Sequence, residues 1–204
     1  MEVKTHWETA YETKGTTEVG WFQEHADLSL KLIKNTHVET LAQIIDVGGG
    51  ASTLVDDLLD AGYENVTVLD ISATALHAAQ GRLGTQAAKA KWIAADITAA
   101  ELPRQHYDVW HDRAVFHFLT DENDRRKYVR AVERSVKLGG HVIVATFGPD
   151  GPLQCSGLRV VRYSPDSLHD EFGSQFELVE HTCEDHHTPF GTVQPFIYCY
   201  CRKT

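Results

Sequence analysis

Four aspartates in the first half of the chain stand at or near the ends of short apolar, β-branched runs. Asp46 lies in Gln43-Ile44-Ile45-Asp46-Val47, directly before Gly48-Gly49-Gly50-Ala51-Ser52. Asp70 closes Val66–Leu69, Asp96 closes Lys91–Ala95, and Asp112 follows Tyr107–Trp110. A glycine turn lets backbone approach a ligand closely, and the helix start behind it offers free N–H donors. Asp70, with Ile71 beside it, stands twenty residues beyond Gly50, where a carboxylate can accept both hydroxyls of a ribose and disfavours a 2′-phosphate. At Asp96-Ile97, a carboxylate can accept an adenine amino group while the isoleucine packs on the ring. Any one of these aspartates could simply cap a helix or solvate a loop. Three such ends in register on one sheet edge are harder to produce by accident.

These carboxylates need a scaffold that delivers them to one edge, and the pattern between them supplies it. Leu54, Val55, Leu58 and Leu59 mark one face of a helix that Gly62 can end. Ser72 can cap a helix carrying Leu76, Ala79 and Leu83, and Asp121 or Asn123 can open a longer one with Tyr128, Val129, Val132 and Val136 inward. The Leu138-Gly139-Gly140 stretch reads as its stop, before a fifth strand over 141–147. Strands interleaved with helices imply right-handed crossovers and a parallel sheet covered on both faces. Ser164-Pro165 starts a short helix. The runs 176–182 and 196–201 have no helix-length segment between them, so one must run antiparallel. The expectation is an α/β doubly wound, Rossmann-like sheet whose last strand is reversed.

Composition narrows the class of ligand. The 204 residues are 42% hydrophobic and 24% charged, ordinary for a globular chain and enough for one domain with a real core. Nineteen Lys and Arg against 29 Asp and Glu leave a net charge of −10. That balance argues against nucleic acid and places no barrier before a cationic small molecule. The start MEVKTHWETA lacks the apolar stretch of a signal peptide, and no apolar run could span a bilayer. Cys155, Cys183, Cys199 and Cys201 have no metal-finger spacing. A soluble cytoplasmic protein with no resident metal and no membrane contact is expected.

A nicotinamide enzyme of this fold would typically use Tyr-x-x-x-Lys, and no tyrosine here has lysine four positions later. The arrangement instead resembles the class I S-adenosylmethionine-dependent methyltransferases. Asp46–Ser52, Asp70, Asp96-Ile97, Asp108–Ala114, Leu138-Gly139-Gly140 and the closing antiparallel strand carry the resemblance over most of the chain. It implies a seven-stranded sheet in the order 3-2-1-4-5-7-6, methyl transfer from a sulfonium, and S-adenosylhomocysteine as product. The chain departs from G-x-G-x-G at Ala51-Ser52, where Ser52 is expected to cap the helix or meet the cofactor carboxylate. Asp46, Gly48, Gly49 and Gly50 complete that expected subsite.

The organisation expected is one methyltransferase domain over 1–204. It comprises a cap segment (1–36), a cofactor core (41–147), and a substrate-side lid with closing strands (148–204). In the cap, His6-Trp7, Tyr11 and Trp21-Phe22-Gln23 look like a segment folded over the sheet edge. Trp21 resembles the family's W-[FY]-Q residue closing over the methionine moiety, where a ring can face a sulfonium. Asp112 could contact the cofactor amine or orient His117. His117 is either a general base near its working pH or a satisfied packing histidine. Arg113, Arg162, Tyr163 and His186 are the remaining candidates to line the acceptor pocket. No [DN]-P-P-[YF] run is present, which disfavours planar amide or nucleobase acceptors. The expected acceptor is a small molecule, with thiols or sulfide the specific candidates. A protein lysine and a silent, cofactor-binding regulator are the alternatives.

Overall fold

The computed structural model describes residues 3–13 and 15–204. Seven strands build one sheet: β1 (Gln43–Val47), β2 (Asn65–Asp70), β3 (Ala90–Ala94), β4 (Tyr107–Arg113), β5 (Val136–Phe147), β8 (Phe176–His187) and β9 (Val193–Lys203). A small separate hairpin consists of β6 (Gln154–Cys155) and β7 (Leu158–Arg159). The sheet order is β3-β2-β1-β4-β5-β9-β8. With the hairpin left out of the count, this is the expected 3-2-1-4-5-7-6. Strand β9 is antiparallel to both its neighbours, and every other pairing in the seven-stranded sheet is parallel.

Six helices flank the sheet: α1 (Val3–Thr13), α2 (Asp27–Asn35), α3 (Leu54–Asp60), α4 (Ala73–Leu83), α5 (Glu122–Ser135) and α6 (Pro165–Phe172). On one face, Leu32, Leu54 and Leu76 from α2, α3 and α4 meet Ile44, Val68 and Ile143. On the other, Tyr128 and Val132 of α5 and Phe172 of α6 meet Val47, Trp110 and Val144. Burial on both faces explains the near-continuous apolar strands, each large side chain contributing about 1.5–3 kcal/mol. The helix starts follow local chemistry. Ser72 accepts from Ala75 N–H, Asp121 from Asn123 N–H, and Ser164 forms a capping box with Ser167 ahead of Pro165. No described helix is long and apolar enough to cross a membrane.

Three elements differ from expectation. Strand β4 continues to Arg113, so Asp112 and Arg113 lie within it and face opposite sides of the sheet. Helix α5 ends at Ser135 and passes directly into β5, so Leu138-Gly139-Gly140 belongs to a strand. Gly139 adopts φ +73°, and the β4–β5 register shifts nearby, between Tyr107 and Val109. The closing strands are longer than their apolar runs, so Asp185-His186-His187 is strand rather than loop.

Candidate active site

The β1–α3 turn forms the base of the site. Gly48 has φ +72°, and a Cβ there would collide with Val115; a Cβ on Gly50 would stand 2.7 Å from Asp70 Oδ2. Both positions therefore require glycine. Around this turn open two adjoining cavities that share Tyr11, Trp21, Gly48 and Arg113 on their walls.

The larger cavity, about 270 Å³, is lined by Asp70, Ile71, Asp96 and Ile97 at the ends of β2 and β3. Asp70 is 7% exposed and accepts from Ser72 N–H at 2.8 Å. Burial pushes its carboxyl up to about 7 against that bond. Asp96 is exposed and accepts from the backbone N–H and hydroxyl of Thr98, both at 2.8 Å. The smaller cavity, about 50 Å³, is lined by Asp46, Gly48, Gly49 and Ser52, together with His111 and Ser29. Ser52 accepts from Leu54 N–H at 3.2 Å and so turns its hydroxyl to the start of α3.

The cap segment roofs both cavities. Trp7 lies edge-on to Trp21 (5.6 Å between centroids) and Phe118 (5.1 Å), and Tyr11 edge-on to Trp21 (6.1 Å). Burial, with Asp70 nearby, raises the Tyr11 phenol and keeps it neutral. Helix α1 has no fully buried residue, its inner face being half-buried at Trp7, Glu8 and Tyr11. Its half-buried Glu8 accepts from Ser72 Oγ (2.8 Å), Ala73 N–H (2.9 Å) and Thr74 N–H (3.1 Å) at the start of α4. Desolvation opposes ionisation of Glu8, but these bonds prevail and hold its carboxyl down at about 2. Arg113 lies 4.2 Å over the Phe196 ring and pairs with Glu184 at 3.2 Å. Its Nε–H donates to Tyr198 Oη at 3.0 Å. Glu184 also accepts from Gln23 at 2.8 Å, and His186 Nε2–H donates to Gly20 O at 2.8 Å. Glu184 and His186 of β8 thus pin residues 20–23, with Arg113 of β4 holding Glu184.

Several candidate residues lie elsewhere. Asp112 is 0% exposed and points toward α5. Its carboxylate accepts from Tyr128 Oη (2.6 Å), Val115 N–H (2.8 Å) and Phe116 N–H (3.1 Å), so it shapes a turn and does not reach the cleft. His117 is also 0% exposed, packed against the Phe118 and Phe147 rings. Its Nδ1 accepts from Phe147 N–H at 3.3 Å. Burial, reinforced by Arg113, depresses its imidazole to about 3, so it is no base at neutral pH; it is packed, but its Nε2 has no hydrogen-bond partner among the described residues. Arg162 donates to Gly151 O on the surface, Tyr163 packs against Phe116 behind the sheet, and His186 fastens the cap. Glu8, His111, Ser29, Glu184 and Phe196 were not singled out from sequence. The i, i+2 alternation from Asp112 would have put His111 and Arg113 together on the other face; the rest carry no local signal.

The donor set fits a nucleoside joined to a zwitterionic amino acid. A buried carboxylate, Asp70, stands at the end of β2 facing the larger cavity, and an apolar shelf at Ile97 stands beside the exposed carboxylate of Asp96. The smaller cavity offers both an acidic group, Asp46, and the Arg113 cation.

Residues 44–140 match the family model described as "Methyltransferase domain". The mouse (Mus musculus) eEF1A lysine and N-terminal methyltransferase is 26% identical over 139 residues, 68% of this chain and 19% of that protein. The chain spans about a fifth of the length of the first curated relatives it matches. Among solved structures, one described as the conversion of a disulfide bond into a thioacetal group during echinomycin biosynthesis superposes with TM-score 0.78. Its identity is 16%, covering 99% of this chain and 92% of that one. The Burkholderia thailandensis 1,6-didemethyltoxoflavin-N1-methyltransferase, with bound S-adenosylhomocysteine, gives TM-score 0.74 at 15% identity, over 99% and 87% of the two chains.

Proposed function

We propose that the chain is a class I S-adenosylmethionine-dependent methyltransferase and that it transfers a methyl group to a small-molecule acceptor, with thiols or sulfide foremost. Bound S-adenosylmethionine supplies an electrophilic methyl on a sulfonium that is already a good leaving group. Asp70 and Ile71 would hold the ribose, Asp96 and Ile97 the adenine. Asp46, the glycine turn and Ser52 would take the amino-acid end. The observation that carries the small-molecule reading is the roof: α1 and the cap close the cleft with Trp7, Tyr11 and Trp21. Aromatic faces attract a sulfonium and exclude water, which favours in-line attack by an aligned acceptor.

The proton inventory favours an acceptor that ionises by itself. His117 is buried away from the cleft, and Asp112 is committed to Tyr128 and a turn. Neither serves as a base at the cleft, whereas a thiol reaches its thiolate near neutral pH with little help. Cys155 lines the same cleft, and burial pushes its thiol up to about 11, so it stays protonated and does not compete. The sulfur chemistry named for one structural neighbour accords with this reading. Free cysteines accord with a reducing, cytoplasmic setting.

A protein lysine acceptor is the second reading, favoured by the curated relatives. A screen with tritiated methyl donor across thiols, carboxylates, amines and a protein extract separates them. Label in a thiol product is expected. Label only in protein would transfer the assignment to the second reading. Cofactor binding with no labelled product would indicate a silent regulator.

A further inference from the structure

The smaller cavity has a floor that the expected cofactor residues do not explain. Asp46 of β1 stands directly across from His111 of β4 in the sheet register. His111 Nδ1 lies 2.7 Å from Asp46 Oδ1, and its Nε2 lies 2.9 Å from Ser29 Oγ of α2. The three side chains are 3%, 2% and 1% exposed, yet all line the cavity. Two residues earlier on the same strand and face, Val109 is an ordinary core residue. Burying an imidazole instead is costly unless both ring nitrogens are paired, and here both are.

We propose that His111, braced by Ser29, is a positioning residue for the amino-acid end of S-adenosylmethionine, acting through Asp46. An ionised carboxylate only accepts, so His111 Nδ1 carries the proton and donates to Oδ1. Asp46 Oδ2 takes no hydrogen-bond partner among the described residues and is left to meet the ligand's ammonium. Without the histidine, the carboxylate would lose the bond that orients it and its affinity for an ammonium would fall. The inference rests on the cofactor reading above.

Calorimetry with S-adenosylhomocysteine and with 5′-methylthioadenosine tests it, because the second ligand keeps the nucleoside and lacks the amino-acid end. In H111L, S-adenosylhomocysteine is expected to bind at least about tenfold more weakly, while 5′-methylthioadenosine stays within about twofold of wild type. In H111N, whose amide can still donate to Asp46, most of the lost affinity should return. Equal losses for both ligands, or no loss for either, would overturn the role of His111. If H111L does not fold, S29A makes the same comparison, with a smaller loss confined to S-adenosylhomocysteine expected and an equal or absent loss overturning it. A wild-type protein that binds neither ligand would instead overturn the cofactor reading itself.

Discussion

The ends of β2 and β4 lie on the same sheet edge, and each carries a buried aspartate whose carboxyl burial raises to about 7. In their raised carboxyls Asp70 and Asp112 look alike, but their surroundings differ. Asp70 accepts only from backbone N–H groups just after it, Ser72 and Ile71, and lines the larger cavity. Asp112 accepts three, from Tyr128, Val115 and Phe116, and is sealed under α5. A perturbed carboxyl is therefore no mark of a site by itself. What distinguishes the site is acceptor capacity the protein has left unused, facing an open space.

The largest effect expected from breaking this contrast is on stability. Asp112→Ala strands the Tyr128 hydroxyl and two N–H groups, costing about 3 kcal/mol. Thermal unfolding should show the midpoint falling by about 6–12 °C. A fall no larger than for Asp70→Asn would erase the distinction. Asp70→Asn should not lower the midpoint at neutral pH, since it removes a carboxylate whose ionisation burial opposes, and should weaken S-adenosylhomocysteine by about tenfold in calorimetry, because it removes an anionic acceptor. Unchanged affinity would remove Asp70 from the ribose subsite.

A pH titration sharpens the same contrast with a smaller effect. Folded values near 7, above the usual carboxylate value, mean that the native state holds these protons more tightly than the unfolded chain does. Ionising Asp112 therefore subtracts stability as pH rises from about 4 to 7, and Asp112→Asn should flatten that slope. Ionised Asp70 is the better acceptor for ribose hydroxyls. S-adenosylhomocysteine affinity should thus increase from pH 6 to 8 in the wild type and lose that dependence in Asp70→Asn. The smallest effect is expected at His117, whose imidazole titrates near 3. In His117→Gln the shape of the pH–rate profile between pH 5 and 9 should stay as in the wild type. A displaced limb would reinstate His117 as a base.

What could be read from sequence follows the range of the forces involved. The glycine turn, Asp70 and the caps at Ser72 and Ser164 depend on neighbours a few residues away, and they appear where the pattern put them. The side of the sheet faced by Asp112 depended on how far β4 runs. Its last residues, His111-Asp112-Arg113, are polar and carry no strand signal. Parallel pairing with β1 and β5 holds them extended. The same holds for β8, an edge strand whose polar residues pair only with β9. Glu184 and Phe196 reach Arg113 across more than seventy residues of chain. No local periodicity encodes such a meeting.

Helix α1 combines two properties with a kinetic outcome. It covers the cleft, yet it has no residue in the core and is latched to α4 through the Glu8 carboxylate. Segments with few buried contacts open independently of global unfolding. Undocking this one helix would therefore open the larger cavity while the sheet stays intact. Removing the Glu8 carboxylate should loosen α1 with little change in overall stability, and amide exchange in α1 should report that opening directly.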